Sequence, residues 1–271
     1  MISITLKATP SAIVDAAWMT PAAFTGHTLK QIQRLPLRHG GDRVRLADLF
    51  EVSGSADDTL EINDASASLH GLGSDMAAGK LVINGDAGDY LGREMRGGEI
   101  YCVGNTGVRA GAGMRRGRLE IRGSVGEFAG GCTPGATSGM KGGVILVGKD
   151  AGARLGDRMR RGTIMVRGNA GAHSGSQMIA GTLALLGSTA PGLGSGMRRG
   201  TLLVADPETM VPGSFVRIGQ VALPFVTVLC RYLIELKPQW RRALDRFALV
   251  ERWVGDRGCD GLGEILLARS E

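Results

Sequence analysis

The sequence predicts an all-β solenoid, a single-stranded right-handed parallel β-helix of about seven coils with an N-terminal cap and a C-terminal α-helical cap. Three observations carry this prediction. The segment Gly79-Lys80-Leu81-Val82-Ile83-Asn84-Gly85 recurs as Gly98-Glu99-Ile100-Tyr101-Cys102-Val103-Gly104 and as Gly117-Arg118-Leu119-Glu120-Ile121-Arg122-Gly123, then again from Gly143, Gly162, Gly181 and Gly200. The leading glycines lie 19 residues apart, except for 26 between Gly117 and Gly143, and a fixed period near 20 marks stacked repeats. With each leading glycine as position 0, positions 2 and 4 are aliphatic or cysteine throughout, from Leu81 and Ile83 to Leu202 and Val204. That alternation specifies a short strand with one face inward. Glycine also recurs near positions 6, 9 and 13, and methionine stands at position 16 as Met95, Met114, Met159, Met178 and Met197, with Met140 ending the long repeat. Glycine permits the positive φ that sharp corners need, and methionine fills irregular interior gaps. A leucine-rich repeat has a similar period, but its asparagine ladder and LxxLxL spacing are missing.

The totals agree with this reading. Among 271 residues there are 44 glycines and only 4% aromatic residues, which suits many turns and small stacked side chains. The net charge of +6 points either to acidic partners or to surface arginine kept for solubility. Cys102, Cys132, Cys230 and Cys259 form no CxxC pair, so reduced thiols in a cytoplasmic protein are expected. No basic segment followed by an apolar one opens the chain, and the apolar run at 221–230 is too short to span a bilayer. A soluble cytoplasmic protein without membrane contact is the expectation.

Three regions follow from the pattern. Residues 1–56 form an N-terminal cap segment. Within it, residues 2–7 alternate as a strand, 8–26 run extended past Pro10 and Pro21, Thr28 caps a short helix over 29–34, and Gly40-Gly41 turns into a strand or irregular apolar stretch at 43–52. Residues 57–206 form the β-helix with its 19-residue glycine-rich repeats, opening on a degenerate coil in which Leu60 and Ile62 take the strand positions. Residues 207–271 form a helix-plus-strand cap. There a proline-opened helix spans 224–236, a second helix spans 238–250 with Trp240, Leu244 and Phe247 on one side, and a last strand spans 264–268. The open end of a solenoid exposes unpaired strand edges, and a helix packed on the last coil would cover them.

Little in the pattern suggests catalysis. His27, His39, His70 and His173 are scattered, and no nucleophile–base arrangement or metal-ligand spacing is visible. Gly104-Asn105-Thr106-Gly107 and Gly168-Asn169-Ala170-Gly171 mimic phosphate loops, but each runs into another glycine corner rather than the helix such a loop must open. Two features remain unexplained by stacking. One is the insertion at 131–139, which carries the seven extra residues of the long repeat and maps to a loop on one face. The other is a row of cations before the leading glycines: Arg96, Arg115, Arg116, Lys141, Arg160, Arg161, Arg198 and Arg199, interrupted at Ile179-Ala180. Stacking places the row along one edge. It is either a solvated corner with Glu94, Glu99 and Asp157 as partners, or a contact for an acidic chain or subunit. Nucleic acid is not expected, because aromatic residues for base stacking are missing from the row.

The GxLxV…G…G…G…M repeats resemble the glycine-rich β-helix domain of glutamate synthase large subunits. They resemble the C subunit of formylmethanofuran dehydrogenase still more closely. Outside the repeats, the segments Leu29-Lys30-Gln31-Ile32-Gln33-Arg34-Leu35-Pro36, Leu46-Ala47-Asp48-Leu49-Phe50-Glu51-Val52-Ser53-Gly54 and Gly261-Leu262-Gly263-Glu264-Ile265-Leu266 carry the same likeness. The resemblance implies a structural subunit of a one-carbon enzyme complex. The archaeal form works on formylmethanofuran with a molybdenum or tungsten pterin. The form in methylotrophic bacteria is a formyltransferase/hydrolase complex that passes a formyl group from tetrahydromethanopterin to a methanofuran-like carrier and releases formate. In both, the resemblance places the carrier, metal and pterin sites on partner subunits, so no catalytic, cofactor-binding or metal-binding residue is expected here. Carriers of this type have glutamate-rich tails, which makes the cationic row a candidate tail contact. Two other readings stay open: a stand-alone module of the glutamate synthase kind, and a solenoid that binds an acidic polymer.

Overall fold

The computed structural model describes residues 1–55 and 57–268. In chain order the elements are β1 Ile2–Leu6, β2 Val14–Asp15, α1 Pro21–Phe24, α2 Leu29–Gln33, β3 Pro36–His39, β4 Asp42–Arg45, α3 Leu46–Leu49, β5 Phe50–Gly54, β6 Thr59–Ala65 and β7 Leu69–His70. The repeats contribute β8 Lys80–Gly85, β9 Glu99–Cys102, β10 Arg118–Ile121, β11 Lys141–Val147, β12 Arg161–Val166, β13 Thr182–Leu185 and β14 Thr201–Val204. The chain ends with β15 Val216–Val221, α4 Pro224–Leu236, α5 Arg241–Leu244, β16 Val250–Gly255 and β17 Gly263–Ala268.

The repeat becomes a long parallel ladder. Thirteen strands form one sheet in the order β15-β16-β17-β14-β13-β12-β11-β10-β9-β8-β6-β1-β5. All neighbours from β1 to β17 pair in parallel, whereas β5, β16 and β15 add antiparallel strands at the two ends. Register follows the repeat, so Leu81, Ile100, Leu119, Ile145, Ile164, Leu183 and Leu202 stand in one line that Ile265 continues. These side chains, and the parallel line from Ile83 to Val204, are buried. Full burial of one such side chain stabilises by about 1.5–3 kcal/mol.

Other columns stack in the same step. Isolated parallel bridges join Ala87, Thr106, Val125, Ala151, Ala170 and Thr189. Met76, Met95, Met114, Met140, Met159, Met178 and Met197 are all buried. At position 7, Asp86, Asn105, Ser124, Asp150 and Asn169 each accept the backbone N–H of the equivalent residue one repeat on. Gly85, at φ +141°, shows why a corner excludes other residues: an added Cβ would lie 2.2 Å from the Ala65 carbonyl oxygen.

The N-terminal segment is more structured than an extended run. Residues 8–26 contain β2 and α1, and β2 joins a four-stranded sheet of order β4-β3-β2-β7. Thr28 caps α2, accepting from the Gln31 N–H while Gln31 Oε1 accepts from the Thr28 N–H. The stretch 43–52 divides into β4, α3 and β5, because the Asp48 carboxylate accepts the Arg45 N–H and turns the chain into one helical turn.

The C-terminal segment departs most from expectation. The stretch 238–250 is broken into 3₁₀ turns on either side of α5, although Trp240, Leu244 and Phe247 are buried. Two further strands, β15 and β16, form on either side of the helical stretch, where the sequence pattern names none. The helical layer does not sit on the open end of the ladder. Val226, Cys230, Leu233 and Ile234 of α4 share one buried cluster with Leu146, Met165, Ala184, Leu203 and Leu266, the outward side chains of β11 to β14 and β17. The end itself is covered by β17, with β16 and β15 paired antiparallel beyond it. Alternation explains the geometry: positions 2 and 4 face inward, so position 3 faces out, and at Leu146, Met165, Ala184 and Leu203 it is apolar and buried beneath α4.

Candidate functional site

Five cations of the row, Arg96, Arg115, Lys141, Arg160 and Arg198, directly follow a buried methionine. The N–H groups of Arg96, Arg115, Lys141, Arg160, Ile179 and Arg198 donate to the carbonyls of Met76, Met95, Met114, Met140, Met159 and Met178, at 2.7–2.8 Å. This pairing fixes one residue per repeat along the edge, with Ile179 filling the interruption. The acidic neighbours are not all those expected. Arg115 pairs with Glu94 at 3.2 Å, but Arg96 pairs with Asp75 at 3.0 Å, and Asp157 faces Arg154 and Arg158. Among the described residues, Glu99, Arg116, Lys141, Arg160, Arg161, Arg198 and Arg199 form no ion pair.

The insertion is a closed excursion. The Met140 N–H donates to the Gly130 carbonyl at 2.8 Å, so the ladder resumes as though residues 131–139 were not there. The excursion is tied down on both sides. Arg109 Nη1 donates to the Cys132 carbonyl at 2.8 Å, and the Gly139 N–H donates to the Arg158 carbonyl at 2.8 Å. Asp157 is buried beside it, accepting from Ser176 Oγ at 2.6 Å and from Cys132 Sγ at 3.7 Å.

These two features meet. A groove of about 580 Å³ is lined by Thr137 and Ser138 of the insertion, Arg158, Arg160, Gln177, Ile179, Gly196, Arg198 and Cys259. Of the eight cations in the row, Arg160 and Arg198 lie here; Arg96, Arg115, Arg116, Lys141, Arg161 and Arg199 do not. Arg160 and Arg198 are two repeats apart, a rise of roughly 10 Å, with the apolar Ile179 between them. Arg158 Nε is held by Gln177 Oε1 at 2.8 Å. The far end is built by the C-terminal turn: Asp256 accepts from the Gly196 N–H at 2.9 Å and from the Gly258 N–H at 2.8 Å, and Cys259 Sγ donates to the Met197 carbonyl. Burial pushes the Asp256 carboxyl up, but these amide hydrogen bonds outweigh it and hold the group below its ordinary value. Arg158, Gln177, Asp256 and Cys259 are the lining and supporting groups that the cationic row does not reveal. Position 15 of the repeat carries Arg158 and Gln177, but the contact with residues 256–259 is made only by the folded chain.

Arg158, Arg160 and Arg198 give the groove a cationic lining. Guanidinium groups grip carboxylates through paired N–H donors, and Thr137, Ser138 and Gln177 add neutral polar contacts. No general base stands against a nucleophile among its lining residues. No helix among the described residues is long and apolar enough to cross a membrane.

No family model matches the chain. Over 99% of its length the chain matches a chain in the crystal structure of the formyltransferase/hydrolase complex (FhcABCD) from Methylorubrum extorquens in complex with methylofuran. The TM-score is 0.90, the sequence identity 32%, and the match covers 100% of that chain. In sequence it is 34% identical over 95 residues to the C subunit of tungsten-containing formylmethanofuran dehydrogenase 2 from Methanothermobacter thermautotrophicus, and 32% identical over 95 residues to the same protein from Methanothermobacter wolfeii. Those alignments cover 33% of this chain and 35% of each relative, so the sequence match spans about a third of the curated relatives.

Proposed function

This chain belongs to the family that comprises the C subunit of formylmethanofuran dehydrogenase and its counterpart in the formyltransferase/hydrolase complex, and from that premise we propose that it is a non-catalytic structural subunit of a cytoplasmic complex of the formyltransferase/hydrolase kind. The observation that carries the proposal is the full-length match, at 32% identity, to one chain of such a complex. In this reading the parallel ladder is a right-handed parallel β-helix of about seven coils, a rigid spine on which other subunits assemble. The chain holds no cofactor of its own. The methanofuran-type carrier, and any metal or pterin, sit on the partners, where the formyl group is transferred and formate released. The glycine corners, aliphatic columns and methionine column are occupied by stacking, which leaves the groove as a surface for recognition.

The groove suits an acidic occupant, either a carboxylate-bearing segment of a partner subunit or the glutamate-rich tail of the carrier. Arg160 and Arg198 grip carboxylates roughly 10 Å apart, and Ile179 receives the methylene stretch between them. Cations with no acidic partner give the groove an attraction that weakens as salt rises.

Purification through a tag on this chain, under native conditions, tests the proposal. Formyltransferase-like and amidohydrolase-like partner chains are expected. Glutamate synthase chains, or a lone monomer, would contradict it. The paired change Arg160→Glu and Arg198→Glu should weaken retention of the acidic partner or carrier while leaving the melting temperature unchanged; unchanged retention would remove the groove from the account.

A further inference from the structure

The helix α4 is apolar on two sides. Val226, Cys230, Leu233 and Ile234 are buried against the ladder. Phe225, Val228 and Tyr232, at i, i+3 and i+7, form a second stripe that is 44%, 66% and 41% exposed. A single polar line, Thr227, Arg231 and Glu235, separates this stripe from a recess of about 210 Å³ between α4 and α5, with Cys230, Ile234, Leu244 and Phe247 in its walls. Helices that are apolar nearly all round are ordinarily buried on both sides, and a contiguous exposed apolar surface marks an interaction site.

We infer that this outer face of α4 is a docking surface for another subunit, one that presents an apolar anchor flanked by carboxylates. The inference rests on the structural-subunit reading above. Charge selects the partner. Arg231 and Arg241 line the recess, Arg242 and Arg246 adjoin its lining residues in the chain, and none of the four is ion-paired among the described residues. The acids of the same segment are Glu235 and Asp245, of which Asp245 lines the recess beside the two arginines. A second copy of this chain docking through the same face would set Arg231, Arg241 and Arg242 against themselves, because a two-fold interface is self-complementary. A partner with carboxylates around an apolar side chain meets no such repulsion. Its anchor fills the recess, and its acids reach Arg231 and Arg241, the pattern of a buried anchor inside a polar rim.

The test uses the complex purified through a tag on this chain, with a photo-cross-linking residue in place of Val228. The expected product joins this chain to one partner subunit, at a peptide with acidic residues beside an apolar one. Tyr232→Asp and Arg231→Glu should each lower that yield at least tenfold, with the melting temperature of the isolated chain unchanged because both side chains are exposed. An intact complex that cross-links only to a second copy, or not at all, overturns the inference and leaves the structural-subunit reading standing. Purification of the unaltered chain without partners overturns both.

Discussion

Asn105 Oδ1 accepts the backbone N–H of Ser124 at 2.9 Å, one repeat further along the ladder. Asn169 repeats the contact with Ser188 at 3.0 Å. These are the two asparagines of the segments that mimic phosphate loops, and the amides around them are likewise engaged. The Gly104 N–H donates to the Gly85 carbonyl at 2.8 Å and the Gly107 N–H to the Ala87 carbonyl at 3.1 Å. The motif is therefore a stacking device. Asn105→Ala should lower stability by about 1 kcal/mol, measured by chemical unfolding, with Asn105→Asp recovering most of the loss. An unchanged midpoint for the alanine variant would show that the side chain contributes nothing to stacking.

Neighbouring residues on opposite faces of β12 should respond differently to the same substitution. Ile164 is fully buried within the inward column. An aspartate there leaves an unpaired carboxylate with no route to water, at a cost of several kcal/mol, and should unfold the domain. Met165 is equally buried, but beneath α4. Met165→Asp can reach water if the helical layer lifts away, so the ladder should persist while α4 becomes cleavable. Limited proteolysis with far-UV circular dichroism checks this; identical behaviour of the two variants would contradict the two-layer packing.

Acid should loosen the same layer. Glu120, on β10, pairs with Lys237 just beyond α4 and with Arg118 at 2.8 Å, while Arg118 also donates to the Leu236 carbonyl at 3.3 Å. Burial pushes the Glu120 carboxyl up, but the hydrogen bonds from Lys237 and Arg118 prevail and hold it below the ordinary glutamate value. A depressed carboxylate stabilises fully above its unfolded value and loses that contribution as pH falls through the folded one. Proteolysis of α4 should therefore rise below about pH 4. Glu120→Gln should raise cleavage at neutral pH and flatten the dependence.

The four thiols should divide by burial. Cys102 and Cys230 are buried, and desolvation pushes them up to about 12 and about 11. Cys132 and Cys259 are half-buried. Native alkylation at neutral pH should modify Cys132 and Cys259 first, because the thiolate is the reactive form. Prior labelling of Cys102 would contradict its place in the inward column.

Much of this architecture is legible in the chain because each repeat solves the same packing problem. Leu81, Ile100 and Leu119 must be apolar for the ladder to close, and Met95 and Met114 must fill the same corner. The second layer is written in the same repeat, at Leu146, Met165, Ala184 and Leu203, where an outward position turns apolar. A period alone does not say what covers that face, because the cover comes from residues 226–247. The strands β15 and β16 have no repeat to announce them, and antiparallel pairing beyond β17 makes them strands. The groove divides in the same way. Arg160 and Arg198 follow from the period, whereas Asp256 and Cys259 reach it only through the fold.

Formate release is the most direct measurement of the central claim. The isolated chain should release none from a formylated carrier, while the complex that contains it does so. Release by the isolated chain at the rate of the complex would place catalysis on this chain and contradict the account.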